Sequence, residues 1–165
     1  MTNTIEMDYP PVAANALEPV VVLPGKGRTQ NPIALVTHEL VLKVTGADSG
    51  GAFAVGVLRA EPMSGPPLHV HTREDEWFYV LKGELTVQVG DRRFTCGPGT
   101  SVFAPRDVPH TWQNCSNETV EALGMITPAG FEGFLWGMSL GPREPEAVEA
   151  LMKRYGLTIA GPPLA

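Results

Sequence analysis

The fold class this sequence predicts is an all-β sandwich or barrel, on three observations. About nine short apolar stretches, separated by turn residues, follow one another between residues 33 and 127. Glycine (18) and proline (16) exceed one-fifth of the 165 residues in a chain that is 43% hydrophobic, as many turns between short strands require. Leu85, Val87 and Val89 alternate with Thr86 and Gln88, the period of a strand with one buried face.

The elements follow in order. Residues 1–32 are expected to form an irregular N-terminal arm packed on the barrel or on a partner subunit. Tyr9-Pro10-Pro11, Pro19, Pro24-Gly25 and Asn31-Pro32 leave space for one short strand at residues 20–23. The barrel is expected over 33–127, with strands at 34–44, 52–60, 68–71, 76–82, 84–89, 94–96, 101–104, 110–114 and 120–126. Turn residues part them at 46–51, Lys82-Gly83, Gly90-Asp91, Gly97-Pro98-Gly99 and Ser116-Asn117-Glu118, and Gly90-Asp91 suits a tight hairpin. Residues 128–165 are assigned to one or two short helices and a tail. Thr127 is expected to cap the first, with Pro128 at its first position and Phe131, Phe134, Leu135 and Met138 on one face, although Gly130, Gly133 and Gly137 weaken it. The second, at 145–155, has an apolar stripe of Val148, Leu151, Met152 and Tyr155, basic residues in its last turn and Gly156 behind it.

Composition narrows the functional classes. The length suits one domain. A net charge of −6 disfavours a polyanion-binding surface, so nucleic acid is not expected as a partner. The longest apolar runs, such as Val20-Val21-Val22-Leu23, are too short for a membrane span, and the N-terminus lacks a signal-peptide core. Cys96 and Cys115, outside any C-x-x-C, read as two reduced thiols of a cytoplasmic protein.

Three of the four histidines carry the chemistry. His69 and His71, two apart on an expected strand, present both imidazoles to one face. Glu76 heads the run Glu76-Trp77-Phe78-Tyr79-Val80-Leu81 and shares a face with Phe78 and Val80; His110 opens another strand and shares its face with Trp112. Three imidazoles and one carboxylate converging in a small barrel suit one divalent metal ion: Fe, Mn, Ni, Co or Zn.

At these residues the chain resembles the cupin superfamily, with motifs G-x5-H-x-H-x3–4-E-x6-G and G-x5-P-x-G-x2-H-x3-N. His69-x-His71-x4-Glu76-x6-Gly83 meets the first from its histidines onward, although Gly65 stands four residues before His69 rather than six. Gly99-x5-Pro105-x-Asp107-x2-His110-x3-Asn114 meets the second, with Asp107 at the turn glycine; Asp tolerates left-handed backbone better than most residues. The resemblance implies a cupin-type jelly-roll β-barrel. A narrower one, to single-domain cupins related to quercetin dioxygenases, rests on Pro66-Pro67-Leu68-His69-Val70-His71, on residues 74–83 and on Thr127-Pro128-Ala129-Gly130-Phe131-Glu132. It implies that His69, His71, Glu76 and His110 are metal ligands, that Glu76 is also the catalytic base, and that a flavonol-like substrate is cleaved with dioxygen.

The remaining expectations concern the surroundings. Phe78 and Trp112 are expected to wall a substrate pocket; the Phe131/Phe134 helix is read as ordinary packing, with a lid over the barrel mouth as the alternative. Glu74 is read as part of a solvated turn, His38 as a surface or core-edge residue, and Asn114 as a barrel-end hydrogen-bonding residue; Arg59 and Glu61 are left open. Trp77, Tyr79 and Leu81 face outward and need cover, so a homodimer is expected. The reading is a metal-dependent dioxygenase of a small aromatic or enol/diketone substrate. A metal-dependent isomerase or epimerase of a small sugar or keto acid, and a non-catalytic small-molecule-binding cupin, stand beside it.

Overall fold

Alternating inward and outward side chains organise Ala54–Ala60 and parts of Leu85–Val89 and Val120–Thr127 in the computed structural model, which describes residues 18–141 and 144–164. In chain order the elements are β1 (Ile33–Ala34), β2 (His38–Val44), β3 (Ala54–Ala60), β4 (Leu68–His71), β5 (Asp75–Lys82), β6 (Leu85–Val89), β7 (Arg92–Cys96), β8 (Ser101–Ala104), β9 (His110–Gln113), β10 (Val120–Thr127), α1 (Glu132–Ser139), α2 (Pro145–Tyr155) and β11 (Leu157–Gly161). They form two antiparallel sheets. One runs β1-β2-β3-β10-β5-β8 and the other β11-β4-β9-β6-β7. This is the expected jelly-roll sandwich with two short helices.

The hairpin at Gly90-Asp91 forms as the alternation predicts, with Val89 paired to Arg92 and Leu85 to Cys96. Gly90 takes a φ of 58°, which a glycine adopts without a Cβ penalty. Leu85 and Val87 turn inward to meet Leu58, Phe78, Val80, Trp112 and Ala122 in a core between the sheets. A second cluster, Ala54, Ile126, Phe131, Phe134 and Leu157, fills the opposite end of the sandwich beneath the helices.

Four local outcomes differ from the expectations or sharpen them. The segment 34–44 is broken: Leu35 N–H donates to His38 O and closes a turn, so β1 folds back on β2 with Ile33 opposite Leu40. Residues 20–23 form no strand, and Val21 and Leu23 stay exposed. Residues 1–17 of the expected arm lie outside the described residues.

Thr127 does not cap a helix. It remains in β10, opposite Asp75, and its hydroxyl donates to Ala52 O. Gly130 at φ 129° then turns the chain, and α1 starts at Glu132 without a side-chain cap. The second helix is as expected and ends on Gly156 at φ 69°. Beyond it β11, a strand the sequence did not suggest, pairs with β4 so that Leu157 faces His71 and Ile159 faces His69. Among the described residues no helix is long and apolar enough to cross a membrane, and both cysteines are free, Cys96 buried and Cys115 exposed.

Candidate metal centre

β4 lies between β9 and β11, and this fixes the two-residue spacing of His69 and His71 as a pair of neighbouring imidazoles. His69 sits opposite His110 in the β4–β9 register. Glu76 comes from the facing sheet, on the inward side of β5. One donor atom from each of His69, His71, Glu76 and His110 falls within 4.8 Å of all the others. The three imidazole centroids are 4.7–5.4 Å apart.

The hydrogen bonds decide which nitrogens face inward. His69 Nδ1 donates to Pro67 O (2.7 Å), and His110 Nδ1 donates to Val108 O (2.9 Å). Their Nε2 atoms are thus the ones left for a ligand. His110 Nε2 lies 3.0 Å and His71 Nε2 3.7 Å from Glu76 Oε2. Both nitrogens of His110 therefore face acceptors, which suits a protonated ring in the metal-free protein. Burial works against that charge, but the hydrogen bond and charge of Glu76 prevail and raise the pKa of His110.

His69 behaves oppositely: burial holds it neutral, with a pKa of about 4, despite the attraction of Glu76. For Glu76, burial pushes toward the neutral acid. The His110 hydrogen bond and the charges of His71, His110 and His69 outweigh it and bring the carboxyl to about 2.

These donors fit a divalent ion. Three imidazole nitrogens and a carboxylate oxygen make the borderline set that such metals prefer, and the orienting contacts lie on the far side of the rings, where ligand histidines need them. The turn before β9 adds to the positioning: Asp107 takes the left-handed conformation expected of it (φ 63°), and its N–H donates to His71 O at 2.8 Å.

Beyond the cluster opens a cavity of about 810 Å³, onto which His69, His71 and Glu76 open. Phe78 and Trp112 wall it as the strand parity requires, with Leu58, Ile126, Phe134 and Met138. Phe131 packs beside the donor cluster, its ring edge-on to His71 at 4.2 Å. The described lining residues include no lysine or arginine.

Two residues depart from the sequence reading. Glu74 is not in a solvated turn: it is buried, with Oε2 3.7 Å from His71 Nδ1. The i,i+3 spacing from a ligand histidine was the available clue, since a buried ring presents a second nitrogen that wants an acceptor. His38 stays outside the ligand cluster, as expected, but it lines the cavity, edge-on to Trp112 at 5.2 Å.

The remaining placements are simpler. Arg59 points outward and pairs with Glu39 (2.9 Å) and Glu121 (3.1 Å), so it takes no part in the cavity. Asp75 also faces away from Glu76, held to Arg106 at 2.8 Å. Asn114 ties the barrel end together, its amide donating to Ala60, Glu61 and Glu118 carbonyls.

Comparison with known proteins agrees with this architecture. Residues 56–126 match the family described as Cupin domain. Among solved structures the chain is similar to TT1209 from Thermus thermophilus, at 25% identity and a TM-score of 0.51, over 56% of this chain and 84% of that one. It is also similar to a predicted oxalate decarboxylase from Thermotoga maritima (24%, TM-score 0.52, 55% and 80% covered). A sugar phosphate isomerase from Silicibacter pomeroyi, of the cupin superfamily, is a third such structure (22%, TM-score 0.50, 62% and 69%). No curated protein sequence matches the chain significantly. The fold is the cupin fold.

Proposed function

We propose that this cupin is a mononuclear metal-dependent dioxygenase acting on a small aromatic or enol/diketone substrate. One observation carries the reading: the His69/His71/Glu76/His110 cluster opens into an apolar cavity with no lysine or arginine among its described lining residues. A sugar phosphate would need cationic partners there, and a two-carbon diacid would leave most of about 810 Å³ unfilled. An aromatic body fits such walls, while its enol or phenol oxygen turns to the cluster.

His69, His71, His110 and Glu76 would hold the ion, which supplies Lewis acidity toward a substrate hydroxyl and a redox centre for dioxygen. Glu76 is ionised at neutral pH, one-fifth exposed and part of the cavity lining, which supports a role for its carboxylate in accepting the hydroxyl proton. As a metal ligand with Nδ1–H held by Val108, His110 has no N–H left for Glu76. The charge of a bound divalent ion would then take the place of that hydrogen bond in keeping the carboxylate ionised. Phe78 and Trp112 exclude water and lie against the substrate ring. The electron-rich anion then reacts with dioxygen, both oxygen atoms entering the products as a C–C bond breaks.

Oxygen uptake by the metal-loaded protein with flavonols and 1,3-diketones tests this. Consumption is expected, and Glu76→Gln is expected to lower turnover far more than metal content. Equal losses would reduce Glu76 to a ligand. Full metal occupancy with no oxygen consumed would favour an isomerase or a binding protein.

A homodimer belongs to the same proposal. Trp77 and Tyr79 stack on the outer face of the six-stranded sheet, beside exposed Leu81 and Phe103, and a second copy would cover this face. Light scattering is expected to give twice the chain mass, reverting to the single mass in Phe103→Glu.

A further inference from the structure

The polar groups lining the cavity are nearly all engaged. Both carboxylate oxygens of Glu132 accept backbone N–H groups, from Gly46 and Gly130 at 2.7 Å. Ser139 donates to Trp136 O. The Thr37 hydroxyl meets His38 Nδ1 at 2.9 Å. His38 Nε2 is different: among the described residues it has no hydrogen-bond partner, although its ring lines the cavity.

His38 is also well fixed. It opens β2 on the inward side, in line with Leu40 and Leu42, and its carbonyl accepts Leu35 N–H at 2.8 Å. Thr37 O in turn accepts the Ser64 hydroxyl at 2.7 Å. Thr37 Oγ1 on one nitrogen and the Trp112 edge contact on the ring leave the imidazole little freedom. A polar group held rigidly on an apolar wall, outside the His69/His71/Glu76/His110 cluster, is built for recognition.

We infer that His38 is a specificity-determining residue: its Nε2 hydrogen-bonds a second oxygen of a substrate whose first oxygen is directed to the His69/His71/Glu76/His110 cluster. The inference rests on the dioxygenase reading of that cavity and narrows its substrate class to aromatic compounds oxygenated at two separated positions. An apolar ligand would bury Nε2 without a partner, and sites with an unpaired buried polar group reject analogues that lack the matching hydroxyl. Burial keeps the ring neutral, with a pKa of about 4 against the attraction of Glu76. A neutral imidazole meets a hydroxyl without needing a counter-charge.

The test titrates the metal-loaded full chain with two probes: quercetin, and the flavonol that keeps only the enolic hydroxyl. The wild type is expected to prefer quercetin by about tenfold, as one well-placed hydrogen bond provides. His38→Leu is expected to bring that ratio close to one by weakening quercetin alone. His38→Gln, which keeps a donor and an acceptor, is expected to retain most of it. Thr37→Val, which frees the ring, is expected to lower it partway and serves where His38→Leu does not fold. Unchanged ratios in the folded variants would overturn the role of His38 and leave the dioxygenase reading standing. A wild type that binds neither flavonol would overturn both.

Discussion

Glu74 Oε2 lies 3.7 Å from Nδ1 of His71, both side chains are buried, and neither atom has a hydrogen-bond partner among the described residues. The separation exceeds a hydrogen bond, yet a small shift would close it. Once His71 Nε2 engages a metal, Nδ1 carries the proton and requires an acceptor, and Glu74 is in place to supply one. The carboxylate would then do for His71 what the Pro67 and Val108 carbonyls do for His69 and His110.

Glu74→Met, similar in volume but without an oxygen acceptor, is therefore expected to weaken metal affinity by about 10–100-fold, the usual effect of losing such a partner. It is expected to leave the melting temperature of the metal-free protein unchanged or raised, since it removes a buried, poorly satisfied carboxylate. Calorimetric metal titration and thermal unfolding read the two effects separately. Unchanged affinity would mean that Glu74 has no part in orienting His71.

The fold and the donor cluster were legible in the sequence for different reasons. β6 and β7 showed themselves because Leu85, Val87 and Val89 alternate locally around a two-residue turn. The convergence of His69, His71, Glu76 and His110 showed itself through spacing. What escaped depends on contacts distant in the chain. β11 is recognisable only through its pairing with β4, and Leu157-Thr158-Ile159 by itself reads as the end of a helix followed by a tail. Thr127-Pro128 has the form of a helix start, but pairing with β5 keeps Thr127 in the sheet. His38 carries no local mark of its place in the cavity wall, and Glu74 only its i,i+3 spacing from His71; contacts with Trp112 and His71 set their surroundings.

His38 gives the metal-free protein an acid-sensitive stability. Its pKa is 6.5 in the unfolded chain and about 4 when folded. Between those values the unfolded chain binds a proton that the folded protein refuses, so stability falls as pH drops from 6.5 toward 4. His69 acts in the same direction. His38→Gln is expected to be more stable relative to wild type at about pH 5 than at about pH 7.5. Urea unfolding at the two pH values measures this; a pH-independent difference would contradict it.

Asn114 is fully buried, and its amide donates to three carbonyls at the barrel end while Oδ1 accepts the N–H and hydroxyl of Ser116. Asn114→Ala is expected to cost about 2–4 kcal/mol in urea unfolding, because buried carbonyls lose their donor. Asn114→Asp keeps an acceptor for Ser116 but cannot donate, and a comparable loss is expected. Near-wild-type stability in the Asp variant would show that the donated bonds matter little.

Metal stoichiometry tests the central claim most directly. Elemental analysis of the purified chain after loading with Fe, Mn, Ni, Co or Zn is expected to find about one ion per chain in wild type, as a single mononuclear site requires. Folded His71→Ala and His110→Ala are expected to hold almost none. A folded wild type that takes up none of these metals, or a His71→Ala variant that keeps the full complement, would contradict the account.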